Sequence, residues 1–174
     1  ATAVGTHVTL LGKVPSPKII MKAFEEVKPN LIITVPLVIE KIYKNVIQPL
    51  ISKKGMKWAL SIPLLDNQIY GQIRKKLIEA LGGRFKEIII GGAAMNPEVE
   101  EFFQRIKFPF TIGYGMTECG PLISYAPWNE FVRTSSGKIL DIMEARIYKE
   151  NPESEIGEIQ VKGENVMSGY YKNP

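Results

Sequence analysis

Apolar positions in this chain keep a helical period through several segments, with short strand-like runs between them. Ile19, Ile20, Ala23, Phe24 and Val27 recur three and four residues apart, which predicts a helix opened by Ser16 as N-cap and by Pro17 at its first position. Pro29 stops it. Ahead of that helix, THVTLL (6 to 11) is rich in β-branched residues and predicts a strand, followed by a loop over Gly12 to Pro15. LIITV (31 to 35) reads as a buried strand. Pro36 then opens a helix turning Val38, Ile39, Ile42, Val46, Ile47 and Leu50 inward, with Pro49 as its kink or end. Residues 51–65 carry no clear period. Asp66 is expected to cap a helix with Ile69, Ile73, Leu77, Ala80 and Leu81 on one face, stopped by Gly82-Gly83.

FKEIII (85 to 90) predicts the next strand, and the helix signal after Gly91-Gly92 is complete. Asn96 caps, Pro97 starts, Glu98, Glu100 and Glu101 face the positive helix end, and Val99, Phe102, Phe103 and Ile106 form the apolar side. FPFTIG (108 to 113) is a further strand. Strand and helix thus alternate, which argues for an α/β fold with a mainly parallel sheet and flanking helices. Around Pro127 the grammar changes. DIMEARIY (141 to 148) and GEIQVKG (157 to 163), with Asn151-Pro152 between them, predict an antiparallel hairpin. The expected organisation is a parallel α/β part over 1–127 and the start of a small antiparallel β subdomain over 128–174.

Composition narrows this only a little. With 174 residues, 45% hydrophobic and 23% charged, the chain suits one globular domain or part of a larger one. The 22 basic and 18 acidic side chains are dispersed in pairs such as Lys53-Lys54 and Lys75-Lys76, as on solvated helix faces. That is no nucleic-acid signature, although the small positive excess would favour an anionic ligand or membrane. Cys119 is the one cysteine, which excludes an internal disulfide framework and a thiolate metal cage and makes a reducing, cytoplasmic setting the expectation. No apolar run approaches the roughly 20 residues that span a bilayer. The opening ATAVGTHVTLL and the closing GYYKNP read as internal sequence, so a piece of a longer protein is expected.

In an open α/β sheet, ligands gather beyond the carboxyl ends of strands, which singles out three loops. These are Pro36-Leu37, Gly91-Gly92-Ala93-Ala94 and Gly113 to Gly120. Small residues in the second would let a flat group approach main chain. In the third, GYGMTECGP, Tyr114 offers a ring face, Thr117 a hydroxyl and Glu118 a hard carboxylate suited to Mg²⁺ beside phosphate. The same residue types also suit a tight turn with Tyr114 in the core, Thr117 capping and Glu118 solvated.

Other motifs fail on inspection. Gly113 to Glu118 carries glutamate where a dinucleotide fingerprint needs its third glycine, and Gly12-Lys13 and Gly137-Lys138 lack the hydroxyl residue of a Walker loop. Ser135 to Lys138 matches S-x-x-K without its companion motifs, so it is read as coincidence. His7 has no second histidine or nearby acid and is read as packing; Cys119 is read as a small packed residue.

GGAAM followed by GYGMTECGPLISY and GEIQVKGENVMSGYYKNP resembles the AMP-forming acyl-CoA synthetases of the adenylate-forming superfamily, most of all bacterial long-chain fatty-acid ligases. LGKVPSPKIIMKAFEEVKPNLIITVPLVIEKIYK resembles the interior of the same group, so the likeness covers nearly the whole chain. The resemblance implies a carboxylic acid substrate, ATP, Mg²⁺ and coenzyme A, with an acyl-adenylate formed first and a thioester second. It implies that Gly91, Gly92, Ala93 and Ala94 line the adenine, that Tyr114 stacks on it, and that Gly113, Gly115 and Met116 shape the same floor. Thr117 would contact the AMP phosphate and Glu118 would hold Mg²⁺; these two are the implied catalytic residues.

Ala94 stands where many relatives carry proline. A phosphate loop ending in lysine, a Thr-Gly-Asp ribose contact and a lysine-bearing carboxy-terminal domain are not found, and the first is expected before residue 1, the others after Pro174. The isolated chain is accordingly expected to be inactive, and a ligase of long acyl chains would work peripherally at a membrane surface. Two alternatives stay open: a non-catalytic nucleotide-binding or interaction module, and an adenylation domain for an amino or aryl acid.

Overall fold

Strand and helix alternate as the pattern requires in the computed structural model, which describes residues 5–10, 12, 16–63 and 65–172. Helix α1 (Pro17–Val27) starts where Ser16 Oγ accepts the Ile19 N–H at 3.3 Å and ends where Lys28, at φ 49°, returns its N–H to Phe24 O at 2.9 Å. Strand β1 (Leu31–Thr34) follows, then helix α2 (Pro36–Ile42). Helix α5 (Leu65–Ala80) leads through Gly82-Gly83 to β2 (Glu87–Ile90), and α6 (Pro97–Arg105) leads to β3 (Phe110–Ile112). The three strands form a wholly parallel sheet in the order β1-β2-β3, with Ile32 beside Ile88 and Ile88 beside Phe110. The fold is α/β, with the parallel sheet flanked by helices and followed by small antiparallel sheets.

The main core lies between this sheet and the helices. Ile88 and Ile90 of the middle strand are wholly buried, and Phe103 of α6 packs edge-on against Phe102, Phe108 and Phe110 with ring centroids 5.0 to 6.0 Å apart. Asn96 caps α6 as its sequence signal requires, accepting the N–H of Glu98 at 2.9 Å and of Val99 at 3.3 Å. Glu100, expected only to meet the helix dipole, is buried and accepts the Thr134 N–H at 2.8 Å.

Four expectations need correction. Residues 6–10 enter none of the three described sheets, and Leu10 is 85% exposed. His7 among them is exposed instead of packed. The remainder of that predicted strand and loop, Leu11 and residues 13–15, lies outside the described residues.

The helix opened by Pro36 also changes phase. After α2 comes a π-helical turn, Tyr43–Ile47, and then α3 (Gln48–Ile51). Pro49 cannot donate to the carbonyl one α-turn earlier, so the ladder widens ahead of it, and the extra residue rotates the buried face. Ile39, Tyr43 and Ile47 are buried, while Val46 and Leu50, predicted to face inward, are 52% and 44% exposed. Asp66 is the second residue of α5 and not its cap, its Oδ1 accepting the Asn67 N–H at 2.6 Å; the unclear stretch before it contains α4 (Lys54–Leu60).

Beyond β3 the pairing becomes antiparallel. β4 (Tyr114–Gly115), β5 (Leu122–Tyr125) and β6 (Lys138–Ile139) form one small sheet, and β7 (Met143–Tyr148) and β8 (Glu158–Gly163) form the predicted hairpin over six residue pairs. Two polar ties fix the first sheet to the parallel one. Buried Thr111 donates its hydroxyl to Ala126 O at 2.6 Å, and buried Glu87 accepts the Tyr125 hydroxyl at 2.6 Å and the Trp128 N–H at 2.5 Å.

Candidate functional site

Parallel pairing brings the carboxyl ends of all three strands to one edge. There the Gly91 N–H donates to Thr34 O at 3.1 Å and the Gly113 N–H donates to Ile90 O at 2.9 Å, so the three exits are in hydrogen-bond register. The two glycine loops also touch: a Cβ on Gly91 would lie 3.2 Å from the Gly113 carbonyl oxygen. Gly92 takes φ +88°, a conformation that favours glycine, and turns the chain so that Ala93 and Ala94 are exposed while Met95 is buried. The result is a small-residue surface backed by main chain. Its far end is anchored where the Asn96 N–H donates to Glu40 Oε1 at 2.9 Å.

The second loop runs from Gly113 through β4 into a 3₁₀ turn, Thr117–Cys119, closed by Gly120 at φ 66°. Gly115 lies against the Pro121 carbonyl with no room for a Cβ, and the Met116 N–H donates to Pro121 O at 2.8 Å. Tyr114 is half-buried; together with Met116 it packs against a small cluster of Cys119, Ile123 and Met143. Thr117 is exposed and Glu118 half-exposed, while Cys119 is buried as a packed residue. The loops Gly91 to Ala94 and Gly113 to Glu118 thus meet at Gly91 and Gly113. Ser135 and Lys138 are engaged elsewhere, with the Gly137 N–H and with Glu130 respectively.

Glu118 has contacts that sequence reading missed. The Tyr170 hydroxyl donates to Glu118 Oε1 at 2.6 Å, and the Met167 N–H donates to Glu118 O at 2.8 Å. The Tyr170 bond first, and then a bond from its own backbone, hold the Glu118 carboxyl below its ordinary range; the same bond pushes the Tyr170 hydroxyl up. Asn165 Nδ2 donates to Cys119 O at 2.6 Å and to Leu122 O at 3.1 Å. Asn165 and Tyr170 stand in the stretch GENVMSGYY, and nothing in hydrophobic periodicity connects them to a loop about fifty residues earlier.

The donor set fits a hard cation only in one way. Among the described residues no group of three or more His, Cys, Asp and Glu side chains could hold a metal ion, and Glu118 supplies a single carboxylate. One carboxylate suits Mg²⁺ held jointly with phosphate oxygens and water, not a closed protein cage. Among the described residues no helix is long and apolar enough to cross a membrane.

Known proteins share this arrangement of sequence and fold. Over 172 residues the chain is 29% identical to "Long-chain-fatty-acid--CoA ligase 3" of Saccharomyces cerevisiae, an alignment covering 86% of this chain and 24% of that protein. The chain thus spans about a quarter of the length of that curated relative. Among solved structures, a benzoate CoA ligase from Burkholderia xenovorans superposes with a TM-score of 0.63 at 18% identity, covering 94% of this chain and 29% of that one. The o-succinylbenzoate coenzyme A synthetase of Bacillus subtilis, in complex with ATP and magnesium ion, superposes with a TM-score of 0.56 at 20% identity, covering 90% and 27%. Residues 1–171 match the family model described as "AMP-binding enzyme", and the chain belongs to that family.

Proposed function

We propose that this chain is the adenine-binding part of an ATP-dependent acid–thiol ligase that activates a long-chain fatty acid. The observation that carries the reading is the meeting of Gly91 with Gly113 beside Tyr114 to Glu118, at the carboxyl ends of parallel strands. A purine fits bare main chain at Gly91, Gly92, Ala93 and Ala94, with the Tyr114 ring as stacking partner and Gly113, Gly115 and Met116 shaping the floor. The Thr117 hydroxyl, exposed on its 3₁₀ turn, is free to donate to the phosphate of AMP. Glu118 would hold Mg²⁺ through its carboxylate, and the cation supplies charge neutralisation at the phosphates.

The reaction is an acyl transfer in two displacements. A carboxylate oxygen of the acid attacks the α-phosphorus of ATP, and the bond to pyrophosphate breaks. The thiolate of coenzyme A then attacks the acyl carbon and AMP leaves. Residues 91–94 and 113–118 contribute position and electrostatics to the first step, by fixing the nucleotide while the acid approaches. Support for a fatty acid comes from the name of the yeast relative, and support for ATP with magnesium from the liganded Bacillus structure.

In this reading residues 1–127 and 128–174 are successive parts of an adenylation domain. A lysine-ending phosphate loop and a lysine-bearing closing domain belong to the rest of the parent, which works in the cytoplasm, peripherally at a membrane face. The chain alone should bind AMP weakly and turn nothing over.

Calorimetry with AMP tests the site: Tyr114→Ala should weaken binding by about 1–3 kcal/mol, the worth of one base stack. Equal affinity in both proteins would remove Tyr114 from the site. Pyrophosphate release by the full reading frame, compared across long-chain, aryl and amino acids, tests the substrate. Preference for an aryl or amino acid would overturn the fatty-acid assignment, and turnover by this chain alone would overturn its inactivity.

A further inference from the structure

The residues that follow β8 reach back to the loop carrying Thr117 and Glu118 at three separate places. Asn165 Nδ2 donates to the carbonyls of Cys119 and Leu122, on either side of the Gly120 turn. The Met167 N–H donates to Glu118 O at 2.8 Å. The Tyr170 hydroxyl donates to Glu118 Oε1 at 2.6 Å. Backbone and side chain of Glu118 are therefore both held by one short segment, and the flanking carbonyls are held by the same segment.

The Asn165 amide shows where that holding matters. Its amine faces two carbonyls, with Met143 Sδ at 3.4 Å as a third neighbour, whereas Oδ1 is buried without a partner. A buried acceptor left unpaired is costly, so the amide sits there for what its amine binds. Neighbouring glycine makes room for it: a Cβ on Gly163 would stand 2.9 Å from Asn165 Oδ1.

Glu118 itself sits on a 3₁₀ turn of three residues closed by two local hydrogen bonds, Cys119 N–H to Met116 O at 3.0 Å and Gly120 N–H to Thr117 O at 3.3 Å. So short a turn has little stiffness of its own. A ligating carboxylate performs best when outer partners fix its rotamer and leave one oxygen free. We propose that Asn165 and Tyr170 are positioning residues: the segment from Asn165 to Tyr170 straps the Thr117–Cys119 turn and fixes the Glu118 carboxylate with Oε2 left for the cation. This rests on the reading of Glu118 as the residue that holds Mg²⁺.

Two measurements test it, and only one involves the ligand. In hydrogen exchange on the unliganded chain, Tyr170→Phe and Asn165→Asp should each speed exchange of the Met167, Cys119 and Gly120 amides roughly tenfold, leaving Ile88 in the central strand unchanged. Unchanged exchange at those three amides overturns the strap. So does uniform acceleration that includes Ile88, because it would mean a general role in stability.

In the second measurement ATP is titrated with Mg²⁺ and with chelator. Tyr170→Phe should cut the Mg²⁺-dependent gain in affinity roughly tenfold while leaving metal-free affinity as it was, and should have no further effect in a Glu118→Gln background. An undiminished gain in Tyr170→Phe overturns the positioning role. An undiminished gain in Glu118→Gln instead overturns Glu118 as the metal ligand, and the exchange experiment still decides the strap.

Discussion

Gly91 and Gly113, from the ends of neighbouring parallel strands, approach until a Cβ on the first would stand 3.2 Å from the carbonyl oxygen of the second. Side chains border the same rim: a Cβ on Gly113 would meet Leu122 Cδ1 at 3.2 Å, and one on Gly92 would meet Val35 Cγ1 at 3.8 Å. The same shortage of space recurs at Gly115, where the obstacle is rigid backbone.

Gly115→Ala should destabilise the loop, because its Cβ would overlap the Pro121 carbonyl, which the Met116 N–H pins in place. The expected loss is about 1–3 kcal/mol in urea unfolding, the usual cost of overpacking. AMP binding should fall with it. A stability equal to that of the unaltered chain would show that the Pro121 segment yields.

The π turn makes neighbouring residues unequal. Ile47 is 1% exposed and Val46 52%, so Ile47→Ala should cost about 2–5 kcal/mol as a core truncation. Val46→Ala should stay within about 0.5 kcal/mol. Equal costs in denaturant unfolding would restore the uninterrupted α-helix that hydrophobic spacing predicts.

Glu87 serves two donors, one in β5 and one in the 3₁₀ turn that follows it. Glu87→Ala leaves the Tyr125 hydroxyl and the Trp128 N–H without their acceptor, at about 1–3 kcal/mol for each donor so stranded. Glu87→Gln keeps an acceptor oxygen and should cost less. Thermal unfolding of the two variants distinguishes them, and equal melting temperatures would contradict the pairing.

Alkaline stability should fall in a definite window. Burial first, and then the bonds to Glu98 and Glu87, push the Tyr43 and Tyr125 hydroxyls up to about 12, against an ordinary value of 10.0. The folded state therefore keeps these protons longer than the unfolded chain does. Their contribution is whole below pH 10.0 and is lost as pH rises towards 12. Unfolding followed from pH 9 to 12 should steepen over that range, and Tyr43→Phe or Tyr125→Phe should each make the profile shallower. A profile identical in all three proteins would refute the linkage.

Asn96→Ala removes the side-chain acceptor for two N–H groups at the start of α6 and should cost about 1 kcal/mol. The backbone N–H that ties the Gly91 to Ala94 loop to Glu40 survives the substitution, so AMP binding should stay as it is. Urea unfolding with AMP titration is the measurement; unchanged stability would mean the cap carries no weight.

Local chemistry made part of this readable in advance. The Ser16 and Asn96 caps, the alternation of strand and helix and the β7-β8 hairpin all follow from neighbours a few residues apart, through spacing, capping and turn residues. The two glycine loops were also legible as strand exits, since a parallel sheet sends all its carboxyl ends to one edge. Tertiary structure alone decided the rest. Residues 6–10 stand outside the three described sheets, Val46 and Leu50 turn outward where the π turn shifts the phase, and Asn165 and Tyr170 reach the Glu118 loop from far along the chain. Strand pairing, helix phase beside a proline and contacts across about fifty residues depend on which surfaces meet in space, and no periodicity within a segment encodes that.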